Sequence, residues 1–303
     1  MVTNHFEFER LIITGASTSY ERSLFALIGS LNCNWPGHPP ILVYNLGLAP
    51  DAVDVLMKAG LMVRDVPAFV PHWRSDFTWR PWCFHDAPAR EYLWLDAGLC
   101  VLRPLDDAFE AIHRLGYFSV ALYNHPVAPS VPDPLRRNAG IREDALSEMI
   151  SISAGVHGIR KEGAGAELIN EAYQLCLNHE NMRATEPPHR HDQALLTLML
   201  YKHFGPPLLA DYHVYAYHDP SGPGIESRQK IWVHRRKMLD EDVAFFSSYV
   251  AKVGPTHRPE KRWEHPPLTP LMKLRILIAK LRGRYPGDDR VDVSGRILHG
   301  VKD

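Results

Sequence analysis

The sequence predicts an α/β protein: a mainly parallel, twisted sheet flanked by helices, with a less regular C-terminal half. Three observations carry that expectation. Short apolar runs alternate with helix-like stretches through the first 120 residues, the pattern of βαβ units. One run, Tyr92-Leu93-Trp94-Leu95, is apolar at all four positions, as a strand covered on both faces must be. Beyond residue 116 the periodicity loosens and prolines accumulate.

Leu11-Ile12-Ile13-Thr14 is the first expected strand, ended by Gly15-Ala16-Ser17 and followed by a helical stretch from Tyr20 to Leu31. Ile41–Tyr44 is the second, stopped by Asn45. Helical periodicity runs from Pro50 to Gly60, with Asp51 placed to cap it and Gly60 to end it. Leu61–Val63 is the third strand, and Tyr92–Leu95 the fourth, stopping at Asp96. Tyr117–Leu122 reads as a strand, and residues 123–145, with four prolines, as a long loop of the kind that carries function. Ser151–Ile159 reads as a strand broken by Gly155 and Gly158, Ala164–Leu177 and Asp192–Phe204 as helices, and Ile231–Val233 as a last short strand. Leu271–Arg284 carries Lys273, Arg275, Lys280, Arg282 and Arg284 among Leu, Ile and Met, without an acid. It fits two descriptions: a helix packed on the protein with its basic residues solvated, or a basic amphipathic helix on an anionic membrane face.

The 303 residues are 45% hydrophobic and 23% charged, the composition of a soluble globular protein. With 34 basic and 35 acidic residues, the chain has no general field to draw in nucleic acid, which excludes that class of partner. No run of 18 apolar residues offers a transmembrane span, and MVTNHFEFER has neither the basic start nor the cleavage site of a signal peptide. Cys33, Cys83, Cys100 and Cys176 stand far apart without zinc-ligand spacing, and read as buried thiols in a reducing compartment. A cytoplasmic protein is expected.

A buried strand that delivers Asp96 at its C-terminal end puts a carboxylate where open α/β sheets bind ligands. Tyr92–Leu95 running into Asp96-Ala97-Gly98, with the apolar Leu99–Leu105 behind, resembles the hydrophobic strand and Asp-x-Asp motif of nucleotide-sugar glycosyltransferases of the GT-A fold. Five further segments fall in that family's order. Thr14-Gly15-Ala16-Ser17 resembles the first strand end, which holds the nucleoside. Phe77-Thr78-Trp79-Arg80-Pro81-Trp82 resembles the aromatic-Lys/Arg-Pro segment, and Ser153–Gly158 the small-residue strand behind the donor sugar. His191-Asp192-Gln193 resembles the Asp-Gln at a helix start. Trp232-Val233-His234-Arg235-Arg236 resembles the late His-bearing strand of the glycogenin and lipopolysaccharide-galactosyltransferase group.

The resemblance implies one GT-A-like catalytic domain over residues 1–268, followed by a basic helix and tail, 269–303. Residues 1–116 are the nucleotide-sugar-binding half and 117–268 the acceptor-binding half. It implies transfer of a sugar from a nucleoside diphosphate-sugar, of the UDP type, to a glycan or lipid-linked acceptor in cell-surface polysaccharide synthesis. Residues 271–284 would then rest on the inner membrane face. Asp96 and Asp192 are the implied acids at the reacting centre. Thr14, Gly15, Ala16, Ser17, Arg80, Asp96, Ala97, Gly98, Gly155, His234, Arg235 and Arg236 are the implied donor-binding residues. Retention or inversion at the sugar carbon is left open.

The sequence departs from the family at position 98, where Gly stands for the second acid. Two arrangements restore charge balance on the leaving diphosphate. Asp96 and His234 share Mn²⁺ or Mg²⁺ whose other positions are filled by phosphate oxygens and water. Alternatively, Arg80 with Arg235 and Arg236 meets the diphosphate directly through guanidinium forks. Plainer roles stand beside these: Asp96 as a turn cap, Arg80 stacked on Trp73, Trp79 or Trp82, and Asp192 as the cap of its helix. His189-x-His191-Asp192 reads as a helix start rather than a metal cluster. Trp73, Phe77, Trp79, Trp82 and Phe84 read as core. Two rival functions follow. A sugar-1-phosphate nucleotidyltransferase would need a glycine-rich basic loop after the first strand, which Gly15-Ala16-Ser17-Thr18-Ser19-Tyr20 lacks. A non-catalytic sugar-nucleotide-binding homologue is favoured by Gly98.

Overall fold

The computed structural model describes residues 6–183, 191–216, 228–233, 290–291 and 297–298. Strand β1 (Phe8–Ala16) leads through one tight turn into α1 (Glu21–Asn34), then β2 (Ile41–Asn45), α2 (Pro50–Lys58) and β3 (Met62–Asp65). After a long connection come α3 (Trp79–Asp86), β4 (Ala89–Leu95), the short β5 (Leu99–Val101) and α4 (Asp106–Leu115). The later part holds β6 (Tyr117–Pro126), α5 (Asp133–Asn138), β7 (Ile150–Arg160), α6 (Ala164–Cys176), α7 (His179–Met182), α8 (His191–Phe204), α9 (Tyr212–Tyr215) and β8 (Ile231–Val233).

Six strands form the main sheet in the order β3-β2-β1-β4-β7-β6. The pairings from β3 through β4 are parallel, and β7 alone runs against both its neighbours. The expected α/β architecture with a mainly parallel sheet is therefore present. Alternation along the strands divides the core into two layers. Leu11, Ile13, Tyr44, Tyr92 and Trp94 face one way and pack against α3, α6 and α8. Ile12, Val43, Leu93 and Leu95 face the other and pack against α1, α2 and α4. Tyr92 to Leu95 are buried on both faces, as their unbroken apolarity requires.

Several local expectations change. Asp51 does not cap α2: the cap residue is Ala49, whose N–H donates to Glu21 Oε1 at 2.6 Å, leaving Asp51 exposed in the first turn. Gly60 does end the segment, with φ +80° and its N–H on Met57 O at 2.9 Å. Strand β7 is continuous rather than broken at its glycines. The 123–145 loop is partly ordered, since β6 runs on to Pro126 and α5 follows. Helices α3 and α4 were hidden, α3 by Pro81, which its first turn accepts because no N–H is needed there. Cys83, Cys100 and Cys176 are buried, but Cys33 is exposed at the end of α1. The contacts divide the chain into two units, Met1–Arg258 and Pro259–Asp303. In the second, Arg290–Val291 pairs antiparallel with Ile297–Leu298. The segment 271–284 lies outside the described residues. Among the described residues, no helix is long and apolar enough to cross a membrane.

Candidate active site

Asp96 follows β4 at the seam where parallel pairing with β1 gives way to antiparallel pairing with β7. This is a strand's carboxyl end, the edge where α/β sheets leave a crevice. The last register pair is Leu95 with Val156, and the Asp96 N–H continues it by donating to Gly155 O at 2.9 Å. Residues two apart on a strand share a face, so Asp96 stands above Trp94. The Trp94 Nε1–H donates to Asp96 Oδ1 at 2.7 Å. Arg80 Nη2 donates to the same oxygen at 2.8 Å. The other oxygen, Oδ2, lies over Gly155: a Cβ there would stand 3.1 Å from it. Asp96 thus has one oxygen fixed inward and one left over the glycine, with its side chain 36% exposed.

Arg80 is the centre of this arrangement. It enters from the first turn of α3 and is 6% exposed. Its guanidinium lies over Trp79 at 4.8 Å and Trp94 at 5.5 Å from the ring centroids. Besides Asp96, it pairs through Nη1 with Asp192 in the first turn of α8. One positive charge therefore sits between two carboxylates, which a buried guanidinium requires. The chain turns into α3 through Phe77, at φ +55°, where a residue with a side chain is strained.

His157 on β7 lies beneath this cluster, fully buried and stacked on Phe84 with ring centroids 5.7 Å apart. Its Nδ1 is 2.8 Å from Ser119 Oγ. Burial, and secondarily the positive charge of Arg80, push its pKa down to about 3, so the ring is neutral near pH 7.

The structure brings together Arg80, Asp96, Gly155 and Asp192 of the residues singled out in the sequence. Arg80, read there as a diphosphate ligand, has both terminal nitrogens on carboxylates instead. Asp192 lies inside α8 and not ahead of it, so it is an ion-pair partner rather than the helix cap. Thr14, Gly15 and Ala16 are buried within β1, and only Ser17 of that group reaches the surface. Gly15 makes room for Trp94, whose Cη2 would stand 3.1 Å from a Cβ at that position. Ala97 and Gly98 are buried as well. Trp79 and Phe84 are core residues, while Trp73, Phe77 and Trp82 pack against the core from its rim. His234, Arg235, Arg236 and His189 lie outside the described residues, and so does the side chain of His191. Sequence reasoning missed Trp94 as a donor to Asp96, although its spacing of two on a strand is the signal that places it there.

Among the described residues, no group of three or more His, Cys, Asp or Glu is placed to hold a metal ion. Asp96 Oδ2 is a single carboxylate oxygen. That suits a hard divalent cation which keeps most of its positions for waters and substrate phosphates.

No family model and no curated protein matches the sequence. Solved structures do match in three dimensions. The galactosyltransferase LgtC, in complex with donor and acceptor sugar analogues, superposes with a TM-score of 0.53 at 14% identity, over 84% of this chain and 98% of that one. The bifunctional glycosyltransferase WbbM, in its apo form, superposes with a TM-score of 0.51 at 12% identity, over 83% of this chain and half of its own length. At such identities the likeness is one of fold. The chain has the fold of the GT-A glycosyltransferases.

Proposed function

We propose that the chain is a glycosyltransferase that moves a sugar from a nucleoside diphosphate-sugar, of the UDP type, to a glycan or lipid-linked saccharide of the cell surface. The observation that carries this reading is Asp96, a half-exposed carboxylate held at the carboxyl end of β4 in a fold shared with sugar transferases. In LgtC that fold is occupied by donor and acceptor sugar analogues, which supports a donor and an acceptor site here.

In the reaction, the bond from the anomeric carbon to the diphosphate breaks and negative charge grows on the leaving phosphate, so the site must oppose that charge. Mn²⁺ or Mg²⁺, where bound, would be held by Asp96 Oδ2 and would act as a Lewis acid on the diphosphate. Arg80 and Trp94 fix Oδ1, and so aim Oδ2 without spending it. Gly155 leaves space beside Asp96 for the donor. Asp192 is buried against Arg80, which gives an acceptor hydroxyl little access to it; through that pair it holds the guanidinium that fixes Asp96. The remaining expected site residues, His234 to Arg236, and the basic segment 271–284 stay part of the proposal for the phosphates and for an anionic membrane face. Cytoplasmic placement goes with them.

Thermal unfolding with nucleoside diphosphates and nucleotide-sugars, each with Mn²⁺, Mg²⁺ or EDTA, tests the reading. A ligand at about 100 times its Kd adds roughly 2.7 kcal/mol. Selective stabilisation by one nucleotide class is expected, lost in Asp96→Ala together with sugar transfer. The variant should still fold, because Arg80 keeps Asp192 as partner. No stabilisation by any nucleotide would sink the transferase reading. Gly98 in place of a second acid favours one other reading, a non-catalytic binder of nucleotide-sugars. Release of nucleoside diphosphate from the donor without acceptor separates the two, since a binder releases none.

A further inference from the structure

Trp73-Arg74, in the connection after β3, and Trp79-Arg80, at the start of α3, repeat one pair of residues, and in both the guanidinium lies on the preceding indole. Arg74 stands 4.5 Å from the Trp73 ring centroid and Arg80 4.8 Å from that of Trp79. The two arginines have opposite circumstances. Arg80 is buried and bound to two carboxylates. Arg74 is exposed and donates to a backbone carbonyl, Leu46 O, through Nη2 at 2.9 Å. That carbonyl is just past the carboxyl end of β2.

We infer that Arg74 binds the phosphate nearest the ribose of the nucleotide, a role distinct from that of Asp96 at the far phosphate. This rests on the nucleotide-sugar reading above and extends it to a residue outside the site already described. The placement argues for it. Gly47, at φ +109°, presents its backbone to the guanidinium, and a Cβ there would stand 3.1 Å from Nη2. On the other contact of the same residue, Thr18 N–H and Oγ1 both reach Gly47 O, at 2.9 and 2.6 Å. Gly47 thus joins the guanidinium on one side to the Ser17-Thr18-Ser19 turn after β1 on the other. That turn brings hydroxyls but no cation, and its helix α1 starts with an acid, Glu21. It cannot by itself hold a phosphate. Trp94 spans the distance to Asp96: its Cη2 end approaches Gly15, which also borders Leu46, and its Nε1 end holds Asp96. Strands β2 and β4 are two places apart in the sheet, about 10 Å, a span that two linked phosphates bridge with a side chain reaching in from each end. One indole thus links a positive group at the nucleoside end to a negative one at the leaving-group end. A guanidinium held flat on an indole loses little freedom on binding and keeps further N–H donors for phosphate oxygens.

Calorimetric titration of uridine, UMP and UDP, with the guanosine, adenosine and thymidine sets alongside, tests this on the full chain and on Arg74→Gln and Arg74→Lys. The expected result is a loss of about tenfold or more in both mono- and diphosphate affinity in Arg74→Gln, with nucleoside affinity unchanged and only part of the loss restored in Arg74→Lys, which keeps the charge but not the planar fork. With Mn²⁺ present, Asp96→Ala should weaken the diphosphate and spare the monophosphate. Equal phosphate affinity in wild type and Arg74→Gln overturns the inference alone. A loss that extends to the nucleoside also overturns it, since that is the mark of a merely structural arginine. A wild-type protein that binds no nucleotide overturns both the inference and the reading beneath it.

Discussion

At the scale of single residues, two glycines of β7 separate binding from folding. Gly155 borders the site: the atoms nearest to an added Cβ would be Asp96 Oδ2 at 3.1 Å, its Cγ at 3.5 Å and its Cβ at 3.6 Å. Gly158, three residues on, borders the core: an added Cβ would press on Ile112 Cδ1, with Ile112 Cγ1 at 2.8 Å and the Tyr92 carbonyl at 3.0 Å. Asp96 cannot retreat freely, because Trp94 and Arg80 hold its other oxygen. Gly155→Ala should therefore lower nucleotide affinity and transfer about tenfold while the unfolding midpoint barely moves. Gly158→Ala should do the reverse and cost about 1–3 kcal/mol, the usual penalty of overpacking. Urea unfolding beside nucleotide titration reads both. In the sequence both glycines read either as bends in a strand or as a close approach to the donor sugar, with Gly155 named for the donor, because a glycine's meaning depends on the atom that faces it. Asp96 was legible, since an acid closing an all-apolar run is a local pattern. The occupation of Arg80 by two carboxylates was not, since nothing within six residues of Arg80 announces either partner.

Among the elements, α2 shows how a correct boundary can rest on the wrong residue. Pro50 at the first turn, Asp51 beside it and Gly60 at the end mark the helix in the sequence, and it is there. The carboxylate that meets the leading N–H, however, is Glu21, the first residue of α1, 28 positions earlier. Glu21 is fully buried, so its removal strips a charged acceptor from a shielded donor. Glu21→Ala should cost about 1–3 kcal/mol. Asp51→Ala should stay within about 0.5 kcal/mol, since Asp51 is exposed in the first turn of the helix. Equal losses in the two variants, measured by denaturant unfolding, would return the cap to Asp51. The strands were more legible than such caps, because burial on one or both faces writes a period into the sequence and a cap from another helix writes none. Helix α3 was obscured for a related reason: its core-facing aromatics surround Pro81, which reads as a breaker unless it is known to sit in the first turn.

For the molecule as a whole, Arg80 and Asp96 come from one side of the seam, and His157 and Asp192 from elements more than 50 residues later. Only the assembled sheet puts them together, which is why fold class was readable from the sequence and the contacts within this cluster were not. Its consequence appears in the pH dependence of stability. His157 has its pKa pushed down to about 3 by burial first and by Arg80 second. An unfolded histidine titrates near pH 6.5. Between these values the unfolded chain takes up a proton that the native chain refuses. The stabilisation is therefore complete above about pH 6.5 and lost as the pH falls towards 3, at up to about 1.4 kcal/mol per unit. From pH 7 to pH 5 this one ring should remove about 2 kcal/mol. The other histidines add their own slopes, so the measurement is the difference between wild type and His157→Gln in urea unfolding at both pH values. The variant keeps a hydrogen-bonding group for Ser119 and no longer titrates, so it should lose about 2 kcal/mol less on acidification. A variant that loses as much as wild type would show that His157 accepts its proton in the folded protein as readily as in the unfolded one.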